Sequence, residues 1–408
     1  MKIRSLTVFF APKPALKASQ LAPLAKFARA AKSAYETAGY QVQTLRLATR
    51  PFPRWVKPLT QSRAVETAVM IESLASEAGF GYVSLGPALP ELPESYFFIP
   101  DLLAATKIAF FSGEIASAKR GINLQALQAC ALLIQKVSLL EDNGFANLRF
   151  AALANVPAGS PFFPAAYHAG AAPAFAIATQ AADLAVAAFE GAGNIAQGSR
   201  ALTLSIQRHA QVMAGIALRI AKTYKVAFGG IDFSLASFPE EKESLGTAFE
   251  RMGVPAVGLQ GSLAAAAVLT QAIDAAKFPR AGFCGLLLPP LEDATLAKRA
   301  AQGTLTVNDL LLYAAVCGTG LDTVPLAGNT TVEQLSALLL DLAALALRLG
   351  KPLTARLMPI PGLVPGDETH FDFPYFANSR VMPLRSEPLK AALAASETIF
   401  LDKRKAGL

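Results

Sequence analysis

Apolar runs that favour β-strands alternate with helical patterns along the whole chain, and this alternation constrains the fold more than any other feature. Continuous apolar strands are typical of sheets that helices cover on both faces. Ten strands are predicted, at residues 3–10, 41–48, 81–85, 106–112, 148–155, 226–235, 254–259, 282–288, 321–326 and 353–360. Helices are predicted between most of them, at 22–38, 62–78, 122–138, 171–190, 200–224, 262–276 and 332–349. We therefore predict the α/β class, as a barrel or a doubly wound sheet.

The composition predicts a large core and no membrane span. Apolar residues make up 53% of the 408 residues and charged residues 16%. The most apolar helical segment, 332–349, carries Glu333, Asp341 and Arg348, which would be costly in lipid. The three cysteines have no spacing typical of a zinc site. We expect a cytoplasmic protein, and the apolar composition is compatible with a homo-oligomer.

Positive charge is concentrated at the start of the chain. Residues 1–60 hold eleven Lys or Arg against a single acidic residue, Glu36. This excess is compatible with a solvated basic face or with attraction of an anionic ligand. No nucleic-acid-binding motif accompanies it, so a nucleic-acid partner is not expected.

The stretch AVCGTGLDTVPLAGNTT, at 315–331, contains two candidate catalytic residues. Gly318 and Gly320 have the positions expected for the end of a helix, and they match neither a phosphate loop nor a dinucleotide fingerprint. Cys317 is either an inert buried thiol or a nucleophile, although a helix C-terminus disfavours the thiolate. Asp322 begins the next strand, where a carboxylate caps the turn, binds a metal or transfers a proton.

Ionisable residues at other strands and loops complete the set of candidates. Asp232 lies inside an apolar strand, which predicts a partner, a ligand or an open barrel mouth. Glu292 and Asp293 begin a helix or form a carboxylate pair at a strand end. His168 closes the aromatic loop 155–168, and loops of this kind often carry functional residues. Arg356 lies inside a strand and needs an anion, which is Asp232, Asp322 or a substrate carboxylate or phosphate.

Several motifs, taken in order, resemble a prokaryotic family called domain of unknown function 711. They are FFPAAYHAG, GGIDFSLASFP, LEDA, AVCGTGLDTVPLAGNT and RLMPIPG. The resemblance implies a ten-stranded α/β barrel similar to that of pyruvate formate-lyase-like enzymes, built from two antiparallel half-barrels. We expect one domain over 1–408, with half-barrels at 1–160 and 226–365, a helical insert at 165–225 and a C-terminal extension at 366–408.

Two departures limit what the resemblance implies about chemistry. Glycyl radical enzymes need a radical glycine near the C-terminus, and the nearest stretch here, SRVMPL, has none. The family often has His-Gly-Thr where this chain has Gln260, Gly261 and Ser262, so a histidine base is missing there. Gln260 and Ser262 are retained as expected substrate-binding residues.

The candidates together predict a polar site in the barrel interior. We expect a non-radical enzyme of lyase or hydrolase type that acts on a small anionic metabolite. In this scheme Arg356 binds the anion and His168 or Asp322 transfers a proton, with Asp232 and Cys317 as further catalytic candidates. Glu292 and Asp293 are the expected ligands of an optional divalent metal ion. The alternative is a regulatory protein that binds a metabolite without turnover.

Overall fold

The computed structural model describes residues 1–13, 15–395 and 397–404, and these residues adopt a mixed α/β fold. The eleven strands of the described residues are β1 (Lys2–Phe10), β2 (Val42–Thr49), β3 (Tyr82–Ala88), β4 (Ala109–Ser117), β5 (Gly121–Asn123), β6 (Phe150–Ala154), β7 (Ala174–Gln180), β8 (Ala227–Asp232), β9 (Gly320–Ala327), β10 (Leu353–Ile360) and β11 (Thr398–Ile399). All of them belong to a single sheet.

Helices connect most of the strands and cover the sheet. They are α1 (Ala18–Thr37), α2 (Phe52–Trp55), α3 (Gln61–Glu77), α4 (Glu94–Ala104), α5 (Leu124–Val137), α6 (Ala182–Phe189), α7 (Ile195–Tyr224), α8 (Leu245–Arg251), α9 (Ser262–Ala275), α10 (Ala294–Ala301), α11 (Val307–Ala314) and α12 (Val332–Leu349). None of the described helices is both long enough and apolar enough to cross a lipid bilayer.

The sheet contains two groups of parallel strands that run in opposite directions. Its order is β8-β7-β1-β2-β3-β4-β6-β10-β9, and the short strands β5 and β11 extend it beside β4. Strands β1, β2, β3, β4 and β6 are mutually parallel, whereas β7 and β10 run antiparallel to their neighbours β1 and β6. Every residue of β9 and β10 is buried, as expected for strands covered on both faces.

The predicted α/β class is confirmed, but the ladder of regular strands in the described part of the chain is open, with β8 and β9 at its edges. The predicted strand at 282–288 has no regular ladder. Two residues in or next to this segment instead form isolated parallel bridges with residues in or just after β8. Arg280 pairs with Ile231, and Leu286 pairs with Leu235.

Two further predictions of secondary structure are wrong. The continuous helix predicted over 171–190 is strand β7 followed by helix α6, so the expected helical insert at 165–225 includes a strand. Alanine-rich sequence favours a helix, but pairing with β1 and β8 on either side makes Ala174–Gln180 a strand. The predicted strand at 254–259 is a set of turns, in which Pro255 and Gly258, at φ +102°, interrupt extended backbone.

The aromatic part of segment 155–168 is buried: residues 160–166 and His168 lie inside the fold, whereas residues 155–159 are partly or fully exposed. Phe162, Phe163 and His168 are each no more than 7% exposed. The Thr7 hydroxyl donates to Pro161 O at 3.3 Å, and the Ser84 hydroxyl donates to Ala166 O at 2.7 Å. These contacts fix the segment against β1 and β3, inside the fold.

Candidate functional site

A bulge between β9 and β10 brings Asp322 and Arg356 together. The register runs from Ala355 opposite Leu321 to Leu357 opposite Val324, so two residues of β9 face the single residue Arg356. Thr323, one of those two, has φ +39°, a rare conformation for a β-branched residue. Bulges redirect side chains, and here the Arg356 Nε donates to Asp322 Oδ1 at 2.5 Å.

The pair extends into a largely buried network of four ionisable side chains. Arg356 Nη2 donates to Glu292 Oε1 at 2.8 Å, and Arg4 Nη2 donates to Glu292 Oε2 at 2.6 Å. Glu292 therefore bridges an arginine of β1 and an arginine of β10. The side chains of Arg356, Asp322 and Glu292 are at most 6% exposed, so their charges depend on one another for solvation.

The two carboxylates of this network have opposite pKa shifts. Burial raises the pKa of Asp322, and the Arg356 charge offsets only part of that effect. Burial also acts to raise the pKa of Glu292, but Arg4 and Arg356 outweigh it and the pKa is lowered. Two atoms of the network, Asp322 Oδ2 and Arg4 Nη1, are buried and have no hydrogen-bond partner among the described residues.

Arg46 of β2 adds a third guanidinium beside this network. Its centre lies 5.4 Å from the Tyr82 ring and 5.2 Å from the Phe163 ring, and its Nε donates to Thr44 Oγ1 at 2.9 Å. Among the described residues it forms no ion pair with an acidic side chain. Burial and the nearby Arg4 charge lower the pKa of Arg46.

One cleft contacts all three arginines. It encloses about 650 Å³, part of it open to solvent, and Arg4, Arg46, Glu292 and Arg356 lie on its wall. Asp322 is behind Arg356 and does not line it. Apart from Leu148, the remaining lining residues are polar or aromatic: Gln43, Thr44, Tyr82, Phe110, Phe163, Gln180, Ser237, Phe238, Phe373 and Tyr375.

Sequence reasoning found three of the five charged residues here and missed Arg4 and Arg46. The available signal was the basic excess in residues 1–60, together with two arginines inside strands that read as apolar. The parallel pairing of β1 with β2 places both on neighbouring strands. That pairing is a tertiary feature, so the sequence alone did not separate these two residues from nine other basic residues nearby.

Asp293 follows Glu292 in the sequence, but its hydrogen bonds give it a structural role. Its Oδ1 accepts from the backbone amides of Thr295 and Leu296 at 3.0 and 2.9 Å, which caps helix α10. Its Oδ2 accepts from the Ser237 hydroxyl at 2.7 Å and from the Leu245 amide at 2.7 Å. Both carboxylate oxygens therefore accept hydrogen bonds from protein groups, and the side chain links α8 to α10.

Asp232 is similarly enclosed at the end of β8. It accepts hydrogen bonds from the Phe283 and Cys284 amides at 3.0 and 2.9 Å and from the Ser234 hydroxyl at 2.5 Å. Burial raises its pKa, and these donors offset part of the rise. The predicted need for a partner is met by the backbone of segment 279–287, and Asp232 does not line the arginine cleft.

His168 lies near the other end of β1. Its ring stacks on Phe9 at 6.2 Å, and its Nε2 is 3.0 Å from Ala172 O. Phe9 is five residues along the strand from Arg4, which corresponds to roughly 16 Å. Burial lowers the pKa of His168. The histidine lines a separate surface depression with Arg50 and Tyr167, which neither Asp322 nor Glu292 lines.

Cys317 is a buried thiol just after α11. Burial raises its pKa to about 11, although Lys351 opposes the shift. The Lys351 ammonium donates to main-chain carbonyls at the end of this helix, those of Ala314, Ala315 and Cys317. The positive charge of the lysine therefore offsets the negative end of the helix dipole. With its pKa raised, the thiol stays protonated at neutral pH.

The glycines that follow Cys317 allow close backbone contact. A Cβ on Gly320, at φ +93°, would lie 2.3 Å from Thr354 O of β10. The backbone at Gly318 packs against Gly285, where a Cβ would lie 2.7 Å from the Gly318 nitrogen. These glycines bring segment 279–287 and β9 together and form no anion-binding loop.

Gln260 and Ser262 are separate from the arginine cleft. Gln260 is exposed, and Ser262 is the first residue of α9, where its hydroxyl donates to Leu259 O at 2.7 Å. Within residues 1–13, 15–395 and 397–404, no group of three or more His, Cys, Asp or Glu side chains is arranged to hold a metal ion. The carboxylates of Glu292 and Asp293 face arginines and backbone amides, respectively.

Comparisons with known proteins identify relatives of this chain. A family model described as "Uncharacterised ACR (DUF711)" matches residues 1–378. The chain belongs to this family. A UPF0210 protein of Pyrobaculum arsenaticum is 34% identical over 378 residues, covering 85% of this chain and 80% of the relative. A UPF0210 protein of Syntrophobacter fumaroxidans is 28% identical over 356 residues, covering 82% and 77%. All lining residues of the cleft fall inside the range matched by the DUF711 model.

Proposed function

We propose that this protein is a non-radical enzyme, of lyase or hydrolase type, that acts on a small anionic metabolite bound by Arg4 and Arg46. The observation that carries the proposal is that both guanidinium groups reach one cleft with hydrogen-bond donors to spare. Arg4 Nη1 is buried without a partner, and Arg46 has no acidic partner among the described residues. A bound carboxylate or phosphate would supply the missing acceptors.

The local charge balance supports an anionic ligand. Three arginines surround two carboxylates, so the network has at least one positive charge in excess. Arg356 pairs with Asp322 and shares Glu292 with Arg4. Among the described residues this leaves Arg46 without an acidic partner and Arg4 with the unpaired donor Nη1, and we propose these two as the anion-binding pair. In a partly desolvated cleft this excess positive charge attracts an anion more strongly than it would in water. We therefore assign Arg356 the role of holding Glu292 in place, with Asp322 behind it as a positioning residue.

Glu292 is the proposed proton-transfer group. It is the carboxylate on the cleft wall, and Arg4 donates to its Oε2. The negative charge of a substrate bound at Arg4 and Arg46 lies close to Glu292 and raises the pKa of Glu292 from its lowered value. The carboxylate then becomes a better base beside the bound substrate.

The test compares anion binding and turnover between the wild-type protein and two variants. Wild-type protein, Glu292→Gln and Arg46→Met would be incubated with a panel of small carboxylates and phosphate esters, and products followed by mass spectrometry. We expect Glu292→Gln to bind and lose turnover, and Arg46→Met to lose binding. Binding by Arg46→Met as tight as wild type would contradict the assigned site.

A metabolite-binding protein without turnover is the second candidate. The observation that favours it is that both Glu292 oxygens accept from arginines, an arrangement that makes a weak base. The two candidates differ in the fate of a ligand that binds. Recovery of the bound compound unchanged after long incubation with wild-type protein supports the second and contradicts the first.

We further propose that segment 279–287 completes a barrel of the pyruvate formate-lyase-like kind. On one side, Ile231 N donates to Pro279 O at 2.8 Å, and Leu235 N donates to Gly285 O at 2.9 Å. On the other side, the Thr319 hydroxyl donates to Leu286 O at 2.5 Å. These bonds support an irregular strand between β8 and β9. It would be the tenth strand of the barrel, beside the nine strands of the main ladder.

A further inference from the structure

Partly exposed aromatic side chains gather at the opening of the arginine cleft. Tyr375 is 39% exposed, and its ring lies 5.9 Å from Phe238 and 5.3 Å from Phe373. We call these three residues the aromatic rim. Exposed aromatic side chains around a concave site indicate a surface that a ligand covers.

Arg4 and Arg46 line the same cleft as the aromatic rim. The Arg46 guanidinium is held between the Tyr82 and Phe163 rings, which restricts its rotation. A guanidinium presents parallel donors that match the two oxygens of a carboxylate. Arg4 Nη1 adds a buried donor that no described residue satisfies.

We infer that the ligand is a planar aromatic carboxylate, whose carboxylate contacts Arg4 and Arg46 and whose ring packs on the aromatic rim. This inference rests on the proposed function and narrows its substrate class. A phosphate ion would satisfy the arginines but leave the rim uncovered. A saturated ring would cover the rim without the stacking that two aromatic faces provide.

The test compares three probes by calorimetric titration of the full-length protein at low ionic strength. The probes are benzoate, cyclohexanecarboxylate and inorganic phosphate. We expect benzoate to bind about fivefold more tightly than cyclohexanecarboxylate, the ratio expected for one aromatic stacking contact. Equal affinities for the two carboxylates would overturn the inference.

Variants of the rim separate stacking from charge. Tyr375→Leu is expected to weaken benzoate binding about fivefold and to leave phosphate binding unchanged. Tyr375→Phe keeps the ring and is expected to bind as wild type. Phe97→Leu, at a 57% exposed position of α4 away from the cleft, is the matched control. Equal benzoate affinity for Tyr375→Leu and wild type would overturn the role of the rim.

The outcomes distinguish this inference from the proposed function. If phosphate and both carboxylates bind equally well and Arg46→Met abolishes their binding, the anion site stands and the aromatic ligand is ruled out. If none of the three probes binds to wild-type protein, both the anion site and the aromatic ligand are contradicted.

Discussion

Arg356 holds two carboxylates with one guanidinium, and this arrangement explains why a β-strand with every residue buried contains a charge. Its Nε and Nη2 reach Asp322 and Glu292 at 2.5 and 2.8 Å. Ionised groups that leave water need partners of opposite charge in good geometry. The energetic role of this residue is therefore to offset the burial of the two carboxylates and to hold them in place.

Arg356→Met is expected to destabilise the protein by about 3–5 kcal/mol, because it leaves two buried carboxylates without their shared partner. Urea unfolding followed by circular dichroism measures the change. The control is Arg63→Met, at a half-exposed helix pair with Glu66, where we expect roughly 0–1 kcal/mol. Adding Asp322→Asn to Arg356→Met should recover part of the loss, and a fully additive double variant would contradict the coupling.

The cysteines are expected to be unreactive in the folded protein. Burial raises the pKa of Cys317 to about 11 and that of Cys284 to about 12, and raises that of Cys130 further. At pH 8, about one Cys317 thiol in a thousand is then ionised. Because these folded-state values exceed the usual 9.0, the protonated thiols favour folding at neutral pH, and that stability is lost as pH rises through the folded-state values.

A thiol reagent at pH 8 provides the measurement. All three cysteines should react in urea, and none should react within minutes under native conditions. Rapid modification of Cys317 in folded protein would contradict its assignment as an inert thiol and restore it as a candidate nucleophile.

At the scale of elements, one carboxylate joins two helices. Asp293 caps α10 and also accepts from the amide of Leu245, the first residue of α8. The pair of helices therefore depends on a buried acceptor that binds backbone amides and the Ser237 and Ser244 hydroxyls. This structural role accounts for an acidic residue directly after Glu292.

Asp293→Ala is expected to destabilise the protein by about 3 kcal/mol, since a helix cap is lost and buried donors are left unsatisfied. Thermal or urea unfolding checks the value. Asp309→Ala, in the capping box of α11, is the comparison and should cost about 1 kcal/mol. Similar losses for the two variants would argue against the additional role of Asp293.

The sequence predicted regular, strongly apolar elements well and failed where tertiary pairing decided the structure. Strands β9 and β10 match the strands predicted at 321–326 and 353–360 from continuous apolar runs. Strand β7 was predicted as a helix, since alanine favours helices when no neighbouring strand is considered. At the site, the contact of Arg356 with Asp322 was among the predicted pairings. Arg4 was missed because only the β1–β2 pairing and the position of Glu292 reveal its role.

At the scale of the whole molecule, two groups of parallel strands meet around one charged interior. Arg4 and Arg46 come from β1 and β2 of the first group, and Arg356 comes from β10 of the second. Glu292 follows segment 279–287 and connects the two groups through its two oxygens. The cleft therefore depends on the second group being held firmly against the first.

Hydrogen exchange tests whether segment 279–287 acts as a strand. The amides of Ala281 and Leu287 donate to Ile231 and Leu235, so peptides covering this segment should exchange slowly, as β9 does. Residues 383–388, which lie outside regular structure, are the fast-exchanging control. Exchange of 279–287 as rapid as that control would contradict the proposal that this segment closes a barrel.

The most direct test of an anion site between Arg4 and Arg46 is crystallographic. A crystal grown at low ionic strength and soaked in sodium bromide should show an anomalous peak within hydrogen-bonding distance of Arg4 Nη1 and the Arg46 guanidinium. The same soak of an Arg46→Met crystal should lose that peak and keep surface bromide sites. An empty cleft in wild-type crystals with occupied surface sites would contradict the claim that these arginines bind an anion.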